Sequence, residues 1–272
     1  MTAPGHVAVT TDRGHGDARR GGARRRPARD RLPAPPIVRR LTAELAGTAF
    51  LVAAVVGSGI MAERLSDDPG LQLLQNTVAT AGVLVALILA LGPASGAHFN
   101  PAVTLVDRAF GGLDTPTALG YVAAQVVGAV LGAIAANVMF DLRAVEWSTT
   151  ARSGGHLWFA EGVATMGLLV VIFGVVRAGR STATAFAVAG YIAGAYWFTS
   201  STSFANPAVT IGRAFSDSFA GIEPGSVPTF VVAQLAGAAV GAGLVLVIYP
   251  DAADVAGDVV VPHEAGESPN GA

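Results

Sequence analysis

The chain has 272 residues, 52% of them hydrophobic and 13% charged, with 34 Gly and no Cys, and a mean hydropathy of +0.54. A soluble domain of that length would need a more charged surface, so the composition belongs to the membrane class. The absence of Cys excludes disulfides, thiolate catalysis and Cys metal sites, while the net charge of −2 hides a segregation of the two signs along the chain.

Residues 1–40 hold ten of the 17 basic residues, all Arg, mixed with Pro and Gly. That composition predicts a disordered tail, held at anionic lipid by Arg24, Arg25, Arg26, Arg39 and Arg40 rather than acting as a nucleic-acid arm. A signal peptide is not expected, because the apolar run Leu41–Met61 is long enough to span a bilayer. Further apolar spans follow at about 73–92, 117–138, 157–177, 182–199 and 228–249. Six crossings put both tails on one side, and the Arg-rich tail marks that side as cytoplasmic. The link at 178–181, beside Arg177 and Arg180, then falls inside, and the loops at 62–72 and 139–156 fall outside. Residues 250–272 read as an acidic, disordered tail.

Between the spans the chain twice spells Asn-Pro-Ala-Val-Thr, at 100–104 and 206–210. Asn followed by Pro is a helix start, with Asn as N-cap and Pro at the first helical position. Helices from Asn100 to about Phe110 and from Asn206 to about Phe215 would be roughly 15 Å long, half the ~30 Å hydrocarbon thickness. Entering from opposite sides, they would meet at the midplane N-terminus to N-terminus. The paired dipoles would turn cations away. Each Asn amide would cap its helix through oxygen and present its NH2 to the lumen. Non-helical backbone at Gly96–Phe99 and Thr202–Ala205 is allowed at that depth only where it lines a watery cavity.

The two halves repeat each other. Ala43-Glu44 matches Ala160-Glu161, and Ala124-Gln125 with Gly128 and Gly132 matches Ala233-Gln234 with Gly237 and Gly241. Three spans per repeat is an odd number, so the halves are inverted. The expected fold is an all-α membrane protein of six transmembrane helices plus two re-entrant half-helices. Its channel domain covers 41–249, with repeats at about 41–138 and 157–249. Small residues four apart, at 120, 124, 128, 132 and 136 and at 233, 237 and 241, give close helix packing. Glu44 and Glu161 are costly in an apolar segment unless satisfied; a proton relay and a pair of loop-supporting acceptors both fit.

The stretch Ser95-Gly96-Ala97-His98-Phe99-Asn100-Pro101-Ala102-Val103-Thr104, with the second Asn206-Pro207-Ala208, resembles the aquaporin and glycerol-facilitator (major intrinsic protein) family over about 41–249. The resemblance implies a homotetramer in the plasma (inner) membrane with a pore in each subunit. It places Asn100, Pro101, Ala102, Asn206, Pro207 and Ala208 at the pore midplane. Loop support or pore lining falls to Gly96, His98, Phe99, Phe204, Glu44 and Glu161; His98 either lines the lumen or is a structural donor.

The position after the second motif, Arg in most such water channels, is Val209 here. Gap-free alignment to the family from the two Asn anchors makes the outer constriction Thr80, Gly194, Ser203 and Val209, lacking the usual aromatic and any fixed charge. Arg213 is expected to anchor its half-helix. The stretch Tyr196–Ala205 before an Arg-less motif resembles bacterial aquaporins associated with arsenic resistance. A wide uncharged ring suits bulky neutral solutes, since selectivity follows diameter and lining groups. The implied function is a passive channel for water, glycerol-like polyols and arsenous acid. A water-selective channel is the alternative, followed by an inverted-repeat transporter. No cofactor, metal or nucleic acid is expected, and no phosphate loop or nucleophile–base pair suggests an enzyme.

Overall fold

The computed structural model describes residues 35–251; the expectations for 1–34 and 252–272 lie outside the described residues. Eight helices follow in order: α1 (Ile37–Leu65), α2 (Pro69–Ser95), α3 (Pro101–Phe110), α4 (Thr115–Met139), α5 (Gly155–Arg177), α6 (Thr184–Phe198), α7 (Pro207–Arg213) and α8 (Val227–Ile248). Ile37–Arg40 form the first turn of α1, so the predicted tail gives way to helix before residue 40. Arg40 Nε donates to the Tyr121 hydroxyl at 2.9 Å.

Four of the eight helix starts, those of α2, α3, α4 and α7, are capped by a side chain. Asp68 accepts from the N–H groups of Gly70 and Leu71 at 2.7 and 3.0 Å, with Pro69 at the first helical position. Asp114 does the same for α4 through Thr117 N–H at 2.8 Å. Hydrogen bonds from the Thr117 side chain and N–H hold the Asp114 carboxyl below its ordinary pKa, because they favour the charged form.

Five helices, α1, α2, α4, α5 and the segment ending in α8, are long and apolar enough to cross a membrane. The fifth expected span, 182–199, is shorter than predicted: α6 has 15 residues, roughly 22 Å of helix. A 3-10 turn at Ser181–Ala183 precedes it. The second half-helix is also short, seven residues rather than the predicted ten, ending at Arg213.

Packing repeats between the halves. α1 lies on α4 and α5 on α8, and each pair touches backbone to backbone at glycine. A Cβ on Gly128 would overlap the Leu45 carbonyl, and one on Gly237 the Gly162 carbonyl. Such close approach lets helices associate in lipid, where burying apolar area supplies no drive. The buried core runs through both halves and includes Val52, Val56, Ala102, Leu169 and Ala208.

Candidate functional site

The two re-entrant loops have the same backbone. Gly96, Ala97 and Phe99 in the first, and Thr202, Ser203 and Ala205 in the second, have φ between 48° and 90°. Five of the six are not glycine, a conformation that costs about 1–3 kcal/mol per residue and persists only where surroundings over-determine it.

Those surroundings are two carboxylates. Glu44, fully buried, accepts from His98 N–H at 3.0 Å, Phe99 N–H at 2.7 Å, the Ser95 hydroxyl at 2.6 Å and Gln125 Nε2 at 2.8 Å. Glu161 accepts from Phe204 N–H at 2.9 Å, Ala205 N–H at 2.8 Å and Gln234 Nε2 at 2.6 Å. Gln125 and Gln234 also donate to Thr104 and Thr210, at 2.9 and 2.8 Å. Each Gln thus ties a loop-bearing carboxylate to the half-helix that follows the loop. The repeat pattern reveals these two Gln residues but not their job. Neither carboxylate lines the pore cavity.

The two Asn residues brace each other's loops. Asn100 Oδ1 accepts from Ala102 N–H at 2.9 Å, and its Nδ2 donates to the Ala205 carbonyl at 2.8 Å. Asn206 Oδ1 accepts from Ala208 and Val209 N–H, and its Nδ2 donates to the Phe99 carbonyl at 2.8 Å. One amide N–H of each Asn is therefore engaged across the midplane, leaving one donor per Asn, rather than two, for a solute.

A single hollow passes both loops. One wall is apolar and comes from helices at steps of four: Leu84 and Ile88 on α2, Leu168, Ile172 and Val176 on α5, Val188 and Ile192 on α6. The loops complete the lining, from Gly96 to Asn100 and from Ser203 to Asn206. Pro101, Ala102, Pro207 and Ala208 are buried behind it.

The predicted outer constriction is only partly assembled. Thr80, Ser203 and Val209 line the hollow. Gly194 does not: it is exposed, with nothing within 4 Å of a Cβ built on it. The α6 face toward the hollow is Thr184, Val188, Ile192 and Tyr196, and a two-residue step turns a helical side chain by about 200°. Tyr196 takes the place, its hydroxyl donating to Thr80 Oγ1 at 3.2 Å. An aromatic is therefore present.

A charged side chain also lines the hollow. Arg213 lines the hollow while 2% exposed, its Cζ 3.4 Å from the centroid of the Phe204 ring and its Nε donating to the Ala220 carbonyl. It both anchors the end of α7 and lines the hollow. Arg152 Cζ lies 5.0 Å from the same Phe204 ring, and this guanidinium donates to the carbonyls of Gly221 and Phe219 at 2.8 and 3.2 Å. Burial lowers the Arg152 pKa from its ordinary value, with Glu161 opposing.

At the other end, His98 Nδ1 pairs with Thr104 Oγ1 at 3.1 Å, and its Nε2 faces Asp107 Oδ2 at 3.9 Å. The His98 ring is sealed away, so the residue meets the hollow through its backbone. Asp107 is a residue that the sequence reading misses; its signal is a lone carboxylate inside an apolar half-helix.

Residues 32–194 and 179–269 match the family described as Major intrinsic protein. The chain is 51% identical over 202 residues to Aquaglyceroporin AqpS of Rhizobium meliloti (strain 1021), covering 74% of this chain and 86% of that protein. It is 31% identical over 219 residues to Aquaporin NIP1-1 of Oryza sativa subsp. japonica, covering 76% and 73%. The X-ray structure of the aquaglyceroporin from Plasmodium falciparum shares the fold with a TM-score of 0.59 at 23% identity, covering 80% of this chain and 99% of that one. Two inverted half-helices, each started by Asn-Pro-Ala and braced by the other's Asn, agree with these matches: the chain belongs to the major intrinsic protein family.

Proposed function

We propose that the hollow between the two Asn-Pro-Ala loops conducts water, glycerol-like polyols and neutral metalloid hydroxides such as arsenous acid, in both directions and without energy coupling. As a multi-pass member of a channel family with an aquaglyceroporin relative, the chain passes small neutral solutes such as glycerol and water. The observation that carries the wider range is the mixed lining, apolar helix residues together with the two loops. A polyol can lay its CH groups on the first and its hydroxyls on the second, which pure water does not need. Val209, where a long cationic side chain would reach across, leaves the outer hollow roomier.

The same reading places both termini on the cytoplasmic side of the plasma membrane, from the Arg-rich first 40 residues, and takes the assembled unit as a homotetramer. It assigns the chain no catalytic step. An inverted-repeat transporter would set ion-coupling carboxylates at the break, whereas Glu44 and Glu161 are spent on loop N–H groups.

The test is reconstitution in liposomes, with osmotic water flux measured beside uptake of glycerol and arsenous acid, for the native chain and Val209→Arg. Solute uptake that the substitution cuts more than water flux supports the reading. Fast water flux with neither solute passing reduces the chain to a water channel.

A further inference from the structure

We propose that Arg213 is the fixed cation of the outer pore, acting from one turn along α7 in place of a charge that Val209 does not supply. This rests on the channel reading above and names the residue that sets its selectivity. Val209 and Arg213 lie four apart and so share a helix face, and both line the hollow. The guanidinium is held at two points, over the Phe204 ring and through Nε to the Ala220 carbonyl. Those contacts leave the two Nη groups without a hydrogen-bond partner among the described residues, on a side chain that lines the hollow. An arginine so clamped has already lost the side-chain freedom that binding a solute would otherwise cost.

Around it stand groups suited to a neutral oxygen-bearing solute. Tyr196 and Thr80, which also line the hollow, contribute hydroxyls. The Nη groups donate, and the solute's own oxygens accept. Setting the charge one turn back widens the passage while keeping its sign. The charge matters more here because α7 has only seven residues, so its aligned dipoles sum to less than those of the ten-residue α3.

The test uses the absence of Cys from the chain. Val209→Cys and, at the equivalent place in the first motif, Val103→Cys each create a single thiol on the hollow. In the full-length protein at low salt, modification by a sulfonate-bearing methanethiosulfonate is timed against a trimethylammonium-bearing one, each normalised to a free thiol. Both positions lie in the first turn of a half-helix, but only the second has Arg213 one turn beyond it.

The expected result is an anion-over-cation preference in Val209→Cys about tenfold or more above that in Val103→Cys. Adding Arg213→Gln should abolish the excess, adding Arg213→Lys should keep it, and Arg213→Gln alone should raise proton entry into dye-loaded vesicles. Equal preferences at the two positions overturn the proposal without any Arg213 variant having to fold, and so does failure of both reagents to reach the thiol of Val209→Cys. Water and glycerol flux of the native chain is scored separately. Its absence would sink the channel reading, while a biased thiol ratio would still mark Arg213 as the charge in the hollow.

Discussion

Asp107 and Arg213 occupy the same place in the two half-helices, each seven residues after the Asn that caps its helix and each buried. The counterpart of Phe204, on which Arg213 lies, is His98, which Asp107 faces. The inverted repeat therefore carries a carboxylate in one half-helix and a guanidinium in the other. Their surroundings differ. Arg213 has a ring and a carbonyl, whereas both Asp107 oxygens lack a hydrogen-bond partner among the described residues. A buried ionisable group without partners is costly. Asp107→Leu is expected to leave thermal stability unchanged or raise it by about 1–3 kcal/mol, as replacement of buried ionic groups by apolar ones does elsewhere. The thermal midpoint in detergent is the measurement, and a clear drop would mean that Asp107 has a bonding partner in the membrane.

The carboxylates at the loops should behave oppositely. Glu44→Gln puts an NH2 group against donors that now bond to a carboxylate, and four hydrogen bonds converge there. Breaking a buried charged network by altering one member costs on the order of 3–5 kcal/mol, so little folded protein is expected from Glu44→Gln or Glu161→Gln. Gln125→Ala removes one donor and leaves the loop N–H bonds, for a loss of about 1–2 kcal/mol. Yield of monodisperse protein and its unfolding midpoint separate the two cases. Equal effects from Glu44→Gln and Gln125→Ala would show that the loop is held by something else.

The architecture is legible in the sequence because its signals are local and doubled. Asn-Pro at 100–101 and 206–207 fixes two helix starts through capping, and the paired Glu and Gln residues mark equivalent places in the repeats. What the sequence hides depends on rotation and reach. Counting back from Asn206 to Gly194 treats the segment 199–205 as a rigid ruler, and an error of two residues moves the expected ring member to the far face of α6. The same slip hides Tyr196. For Arg213, spacing shows which helix face the residue shares but not how far a long side chain extends along it, so the sequence suggests an anchor and not a pore charge. Asp107 has no local signature beyond its charge, since its neighbour His98 is nine residues away.

Close helix packing gives a sharper test than any polar contact. Gly128 and Gly237 approach carbonyls of the neighbouring helix so closely that a Cβ cannot be added without moving backbone. Gly128→Val and Gly237→Val should each prevent assembly of the native bundle, beyond the 1–3 kcal/mol usual for overpacking. Gly190→Ala, on α6 with nothing within 4 Å of the added carbon, should not affect folding of the subunit. Comparable losses from Gly128→Val and Gly190→Ala would contradict the proposed role of the α1–α4 contact.

The midplane brace makes a prediction about coupling rather than size. Asn100→Ala removes a cap on Ala102 and the bond to the Ala205 carbonyl; Asn206→Ala removes caps on Ala208 and Val209 and the bond to the Phe99 carbonyl. A lost cap costs about 1 kcal/mol and a lost cross-loop bond about as much, so each single variant should lose roughly 2 kcal/mol. The two bonds cross between the same pair of loops, and once one is gone the loops are freer to separate. The second is then worth less. The double variant should fall short of the sum by about 0.5 kcal/mol or more, read from unfolding midpoints of all four proteins. Proton entry should rise in the same order, because the capped helix starts that face a passing cation lose their alignment as the loops part. Strict additivity in both readouts would show two independent caps and no brace.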